Sequence, residues 1–157
     1  MSSTVKIDQA IPEFSLPATN DRTISTSDLR GHNTVVYFYP KDSTPGCTLE
    51  SQGFRDALTD FAACDTVIIG VSRDGLRSHE NFRAKQCLPF DLISDGDETL
   101  CQLFDVIRMK NMYGKQVRGI ERSTFLIDRE GVLRREWRKV KVDGHVAEVL
   151  DAARALG

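Results

Sequence analysis

No stretch of this chain is apolar for long enough to cross a membrane. Its first residues carry none of the apolar core that a secretory signal needs, so a cytoplasmic protein with no membrane partner is expected. Positive charge is not in excess: 21 Lys and Arg stand against 23 Asp and Glu, a formal net charge of -2. That leaves no basic footprint for nucleic acid. The clusters Arg134-Arg135 and Arg138-Lys139-Val140-Lys141 are balanced by acids elsewhere and read as the solvated face of a strand. Cysteine is scarce and dispersed. Cys47, Cys64, Cys87 and Cys101 form no Cys-x-x-Cys pair and no Cys/His knuckle, which speaks against a zinc module. His32, His79 and His145 read as solvated or capping residues rather than ligands, so neither metal nor cofactor is expected. Repeats, low-complexity tracts and linkers are absent as well, and residues 1–157 read as a single domain.

What is present alternates between two periodicities. Ile11–Pro17 reads as an extended edge segment, and Ser27–Gly31 as a helical turn closed by glycine. Thr34–Tyr39 is β-branched or aromatic throughout and predicts a buried strand ended by Pro40. Phe54, Ala57, Leu58 and Phe61 then carry a helical stripe, within a helix predicted from Pro45 to Ala63. Thr66–Val71 predicts a second buried strand, Ser78–Gln86 a helix capped by Ser78, Phe90–Ile93 a short strand and Asp97–Phe104 a helix. Ser123–Asp128 and Val132–Val140 predict a hairpin about Arg129-Glu130-Gly131. A last helix, capped by Asp143, carries Val146, Val149, Leu150 and Ala153 on one stripe. Alternating strands and helices imply parallel pairing with right-handed crossovers, and the late hairpin adds antiparallel strands. The expected architecture is α/β, a mixed central sheet with helices on both faces, an order that suits a thioredoxin-like fold.

Chemistry concentrates in Tyr39-Pro40-Lys41-Asp42-Ser43-Thr44-Pro45-Gly46-Cys47-Thr48. A buried strand stops and a helix starts within a few residues, at the carboxyl end of a parallel strand, where α/β sheets place their sites. Thr44 suits an N-cap and Pro45 the first helical position, which puts Cys47 third in the first turn. Unpaired N–H groups and the positive end of the helix dipole favour thiolate over thiol there. Gly46, with no side chain, leaves room for a small substrate. The bland reading is a helix cysteine that merely sits near a cap.

Pro40-x-x-x-Thr44-x-x-Cys47 resembles the active-site pattern of the peroxiredoxin family, and the fuller string from Tyr37 to Thr48 is similar to its PrxQ, or bacterioferritin comigratory protein, subfamily. Gly119–Asp128 and Trp137–Val142 agree with it. The resemblance implies a thiol-specific peroxidase that reduces hydrogen peroxide and organic hydroperoxides. In that role Cys47 attacks the terminal peroxide oxygen and becomes a sulfenic acid. Thr44 orients thiolate and peroxide, Pro40 shields the thiolate and lacks an N–H to compete, and Arg122 holds the charge and binds the peroxide oxygens. Glu50, one helical turn past Cys47, is a candidate to orient Arg122 by a salt bridge. Alone, Arg122 reads as a surface arginine at a strand end and Glu50 as a solvated helix residue. A thioredoxin-type dithiol as reductant and a monomeric state are further implications.

The resemblance weakens at the resolving thiol. The two positions where the subfamily carries it are held here by Gln52 and Arg83. Cys87, four residues past Arg83 and just before Leu88-Pro89, is the nearest substitute, and a buried helix-end cysteine is the alternative. Cys101 and Cys64 read as packing residues. Without a resolving thiol the cycle is of the one-cysteine type. A thiol–disulfide oxidoreductase on the same fold is the rival function, although it would usually need Cys-x-x-Cys. A cysteine hydrolase would want His79 or His145 beside Cys47.

Overall fold

Every residue from Asn33 to Tyr39 is buried, and the molecule is built outward from that segment. The computed structural model describes residues 5–156. In chain order the elements are β1 (Ser15–Ala18), β2 (Arg22–Ser25), a 3-10 turn (Thr26–Leu29), β3 (Asn33–Phe38), α1 (Pro45–Asp56), α2 (Leu58–Ala63), β4 (Thr66–Ser72) and α3 (Leu76–Gln86). They continue with β5 (Leu92–Ser94), α4 (Thr99–Leu103), β6 (Ile107–Met112), β7 (Lys115–Ile120), β8 (Ser123–Ile127), β9 (Leu133–Trp137) and α5 (His145–Leu156).

Seven strands form one sheet in the order β2-β1-β5-β4-β3-β8-β9. β4 runs parallel to β3 and β5, and the remaining pairings are antiparallel. The sheet is therefore mixed, as the alternation of elements followed by a late hairpin predicts. Side chains along β3 alternate between two cores. Val35 and Tyr37 face a layer with Phe54 of α1, Phe61 of α2, Phe82 of α3 and Val149 of α5. Val36 and Phe38 face Leu100 and Cys101 of α4, with Phe104, Phe125 and the N-terminal Phe14. Helices lie on both faces, unevenly: four on one and the short α4 on the other. Burial on both sides is why β3 reads as a continuous apolar run.

Several boundaries differ from the sequence reading. The helix expected from Pro45 to Ala63 is broken at Ala57, whose ψ of 3° leaves the helical region. The stripe from Phe54 to Phe61 survives the break, with ring centroids 5.9 Å apart, so periodicity alone reads through it. α3 begins at Leu76 with Gly75 as N-cap; Ser78 is not the cap, and its hydroxyl donates instead to Asp42. α4 is shorter than expected, its first turn held by the Asp95 carboxylate, which accepts from the N–H groups of Leu100 and Cys101. α5 starts at His145, two residues past Asp143. β9 ends at Trp137, so Arg138 is no part of a solvated strand face; its guanidinium donates to the carbonyls of Phe104 and Asp105.

The β6–β7 hairpin is absent from the sequence reading. It forms a sheet of its own and turns at Tyr113 and Gly114, both left-handed with φ of 54° and 80°. A two-residue turn with glycine second is a hairpin signal, but the mostly exposed flanks carry little apolar alternation to announce it.

Candidate active site

β3 and β8 lie side by side, with Phe38 opposite Ser123. The carboxyl end of β3 therefore abuts the start of β8, and residues far apart in sequence converge there. Arg122, one residue before β8, reaches across to α1. Its Nη1 donates to Glu50 Oε1 at 2.7 Å and its Nη2 to Cys47 Sγ at 3.4 Å. The guanidinium thus bridges the thiol and a carboxylate through two arms of one rigid fork. Cys47 and Glu50 are buried and Arg122 is partly buried, its side chain 16% exposed; Arg122 is not the fully solvated residue that a strand-end arginine suggests.

α1 begins as expected, with Thr44 at the N-cap, Pro45 at the first position and Cys47 third. One detail departs. The Thr44 hydroxyl does not cap the helix; it donates to the Lys41 carbonyl at 2.8 Å. Gly46 has a structural part besides the substrate access read from the sequence. A Cβ there would stand 3.1 Å from Arg122 Nη2, so the glycine makes room for the guanidinium.

Burial sets the electrostatics. It pushes the Glu50 carboxyl up to about 7, against the lowering effect of Arg122. Glu50 Oε2 is buried without a hydrogen-bond partner. For Arg122, burial favours the neutral form, but Glu50 and then Cys47 outweigh it and keep the guanidinium firmly charged. A second cation stands near. The ammonium of Lys110 on β6 donates to the Ile120 carbonyl, and burial and then the charge of Arg122 lower its pKa. Sequence reasoning missed Lys110 because the hairpin that carries it was missed.

The other singled-out residues fall as follows. Cys101 is fully buried, and burial followed by Asp95 drives its thiol far up; it is a packing residue, as expected. Cys64 closes α2, its thiol 3.3 Å from the Phe61 carbonyl. Cys87 is exposed at the C-cap of α3, left-handed with φ 53°, so it is not a buried helix-end cysteine. Neither it nor Cys47 is in a disulfide. Two of the histidines are not solvated. His79 is buried, with Nδ1 2.7 Å from Asp42 Oδ2 and Nε2 2.9 Å from the Ile93 carbonyl. His145 is buried with Nε2 2.7 Å from Thr124 Oγ1. The partner of the Cys47 sulfur is Arg122, and the histidines that a hydrolase would need are committed elsewhere. No helix among the described residues is long and apolar enough to cross a membrane.

A buried thiol at a helix start, with one arm of an arginine on its sulfur and the other on a buried carboxylate, places positive charge where a sulfur anion attacking a polarised bond would need it. Comparison with known proteins agrees. The AhpC/TSA family model matches residues 7–136. The chain is 50% identical to peroxiredoxin Bcp of Bacillus subtilis over 153 residues, 98% of each chain. It is 60% identical to peroxiredoxin Bcp of Xanthomonas campestris over 125 residues, 80% of this chain and 78% of the other. Among solved structures, a PrxQ variant of Xylella fastidiosa superposes with a TM-score of 0.92 at 41% identity, covering 99% of both chains. The bacterioferritin comigratory protein of Xanthomonas campestris, described for its alkyl peroxide reduction activity, superposes with a TM-score of 0.88 at 49% identity, covering 94% of this chain and 99% of that one. The cysteine chemistry, the thioredoxin-like fold and these likenesses converge: the chain belongs to the AhpC/TSA family, in its Bcp/PrxQ branch of peroxiredoxins, and is a thiol peroxidase.

Proposed function

We propose that Cys47 is the peroxidatic thiol, with Arg122, Thr44 and Pro40 completing the peroxide site and Glu50 orienting Arg122. The observation that carries this is the fork of Arg122, one arm on the sulfur and one on the buried carboxylate. The Cys47 thiolate attacks the terminal oxygen of the peroxide. An S–O bond forms, the O–O bond breaks, and the leaving oxygen takes up a proton to depart as water or an alcohol. Arg122 stabilises charge moving from sulfur to the leaving oxygen.

A thiol reductant returns the sulfenic acid to the thiol. Cys87 is the resolving thiol in this reading: it condenses with the sulfenic acid, releasing water and forming a disulfide, which a thioredoxin-type dithiol then reduces. Support comes from the packing of α1 on α3. Gln52 and Arg55 of α1 both bond Gln86, the neighbour of Cys87. Because Cys47 is buried and Cys87 exposed, the link requires the first turn of α1 to open. The protein acts as a single-domain, cytoplasmic monomer.

Turnover with thioredoxin, its reductase and peroxide tests the assignment. Cys47→Ser abolishes turnover with every thiol; Cys87→Ser loses it with thioredoxin and keeps it with a small thiol. Equimolar peroxide yields a Cys47–Cys87 disulfide by mass mapping. Peroxidase activity surviving in Cys47→Ser would sink the reading.

A further inference from the structure

Behind the loop that delivers Cys47 lies a second buried polar cluster, which the steps above leave unused. Asp42 sits midway between Pro40 and Thr44. Its Oδ1 accepts from Tyr39 OH at 2.6 Å, and its Oδ2 from Ser78 Oγ at 2.8 Å while meeting His79 Nδ1 at 2.7 Å. Its backbone N–H donates to Asp74 Oδ2 at 2.8 Å, an oxygen that also accepts from Ser72 Oγ at 2.6 Å. His79 Nε2 reaches the Ile93 carbonyl at 2.9 Å. The side chains of His79 and Asp42 are 0% and 2% exposed.

Asp42, Asp74 and His79 stand close enough to suggest a shared cation, but the facing carboxylate oxygens already accept from Ser78, Ser72 and the Asp42 N–H, and His79 Nδ1 already meets Asp42 Oδ2. The cluster is a strut. It ties the loop to the end of β4, to α3 and to the backbone of β5. The Thr44 hydroxyl, by contrast, donates within the loop, to the Lys41 carbonyl. Removing an acid and an imidazole from water is costly, and apolar side chains would fill the same space. What the polar pair adds is direction: each bond fixes one atom of the loop against one atom of the frame.

We propose that His79 and Asp42 are positioning residues for peroxide reduction, fixing the 40–44 loop against α3 so that Pro40, Thr44 and the first turn of α1 present Cys47 and the peroxide to Arg122 in one orientation. This rests on Cys47 being the peroxidatic thiol, which the Cys47→Ser variant tests separately.

The test compares two reactions of the same sulfur. Oxidation by hydrogen peroxide needs oriented partners, whereas alkylation by iodoacetamide needs only an accessible thiolate. His79→Phe fills the space without either bond, and Asp42→Ala removes the carboxylate. Each lowers the peroxide rate constant by about tenfold or more, and changes the iodoacetamide rate constant by less than about threefold, because misalignment penalises the oriented reaction. The double variant is no slower than the slower single one, since both lesions cut one strut. Asp42→Asn, whose amide accepts from Tyr39 and donates toward His79 Nδ1, recovers most of the rate lost in Asp42→Ala. Should His79→Phe fail to fold, the comparison of Asp42→Ala with Asp42→Asn decides alone. A peroxide rate constant within about twofold of wild type, a parallel fall in both reactions, multiplying effects in the double variant, or an Asp42→Asn as slow as Asp42→Ala would overturn the proposal.

Discussion

Arg122 faces two different demands, one from sulfur and one from carboxylate, and its planar fork meets both at once. A lysine carries the same charge as a point and has no second arm. Arg122→Lys is therefore expected to lower the rate of peroxide reduction by about tenfold to a hundredfold, measured by stopped-flow oxidation of the reduced protein. Glu50 adds a pH dependence. Its carboxyl, raised to about 7, is ionised above that pH and neutral below it. Only the ionised form holds the guanidinium by charge, so part of the rate of peroxide reduction is expected to be lost as the pH falls through about 7. Glu50→Gln removes that part of the profile and leaves a flatter curve between pH 6 and 8; an unchanged profile would remove Glu50 from the account. At this scale the sequence was informative where chemistry depends on residue type and local spacing. Cys47 follows from the Pro-Gly-Cys helix start, but the burial of Arg122 and Glu50 does not, because it depends on β8 returning beside β3.

Elements were legible in proportion to how much apolar side chain they bury. β3 and β4 announce themselves because both faces are covered. The β6–β7 hairpin does not, since most of its side chains face water and its turn rests on backbone sign rather than hydrophobic pattern. The break at Ala57 was hidden for the opposite reason: the stripe it interrupts stays in phase. Gly70 in β4 shows how tightly one element constrains another. A Cβ there would lie 2.7 Å from Leu92 Cδ2 and 2.9 Å from the Tyr37 ring. Neither neighbour can retreat within a closed core, so Gly70→Ala is expected to destabilise the fold by about 1–3 kcal/mol. A drop in the urea midpoint at unchanged m-value checks it.

For the molecule as a whole, two buried groups tilt stability in opposite directions with pH. Burial and then the charge of Arg122 lower His145 to about 4, from an ordinary 6.5. The unfolded chain therefore takes up this proton first, and the stability His145 confers is present above about 6.5 and lost as the pH falls through about 4. Glu50, raised from 4.5 to about 7, has the reverse sign: its contribution is present below about 4.5 and lost as the pH rises through about 7. His145→Gln should thus shrink the loss of urea midpoint between pH 7 and pH 4, with Thr124 keeping a hydrogen-bonding partner. An equal loss in variant and wild type would count against the buried neutral imidazole.

The hairpin that escaped the sequence reading also has a practical use. Ile107 and Ile120 pair at its base, while Tyr113 at the far end is 99% exposed. A fluorescent reporter or affinity tag spliced between Tyr113 and Gly114 would project into solvent at a surface tip of the kind that accepts insertions, and the same tip would serve to tether the enzyme to an electrode.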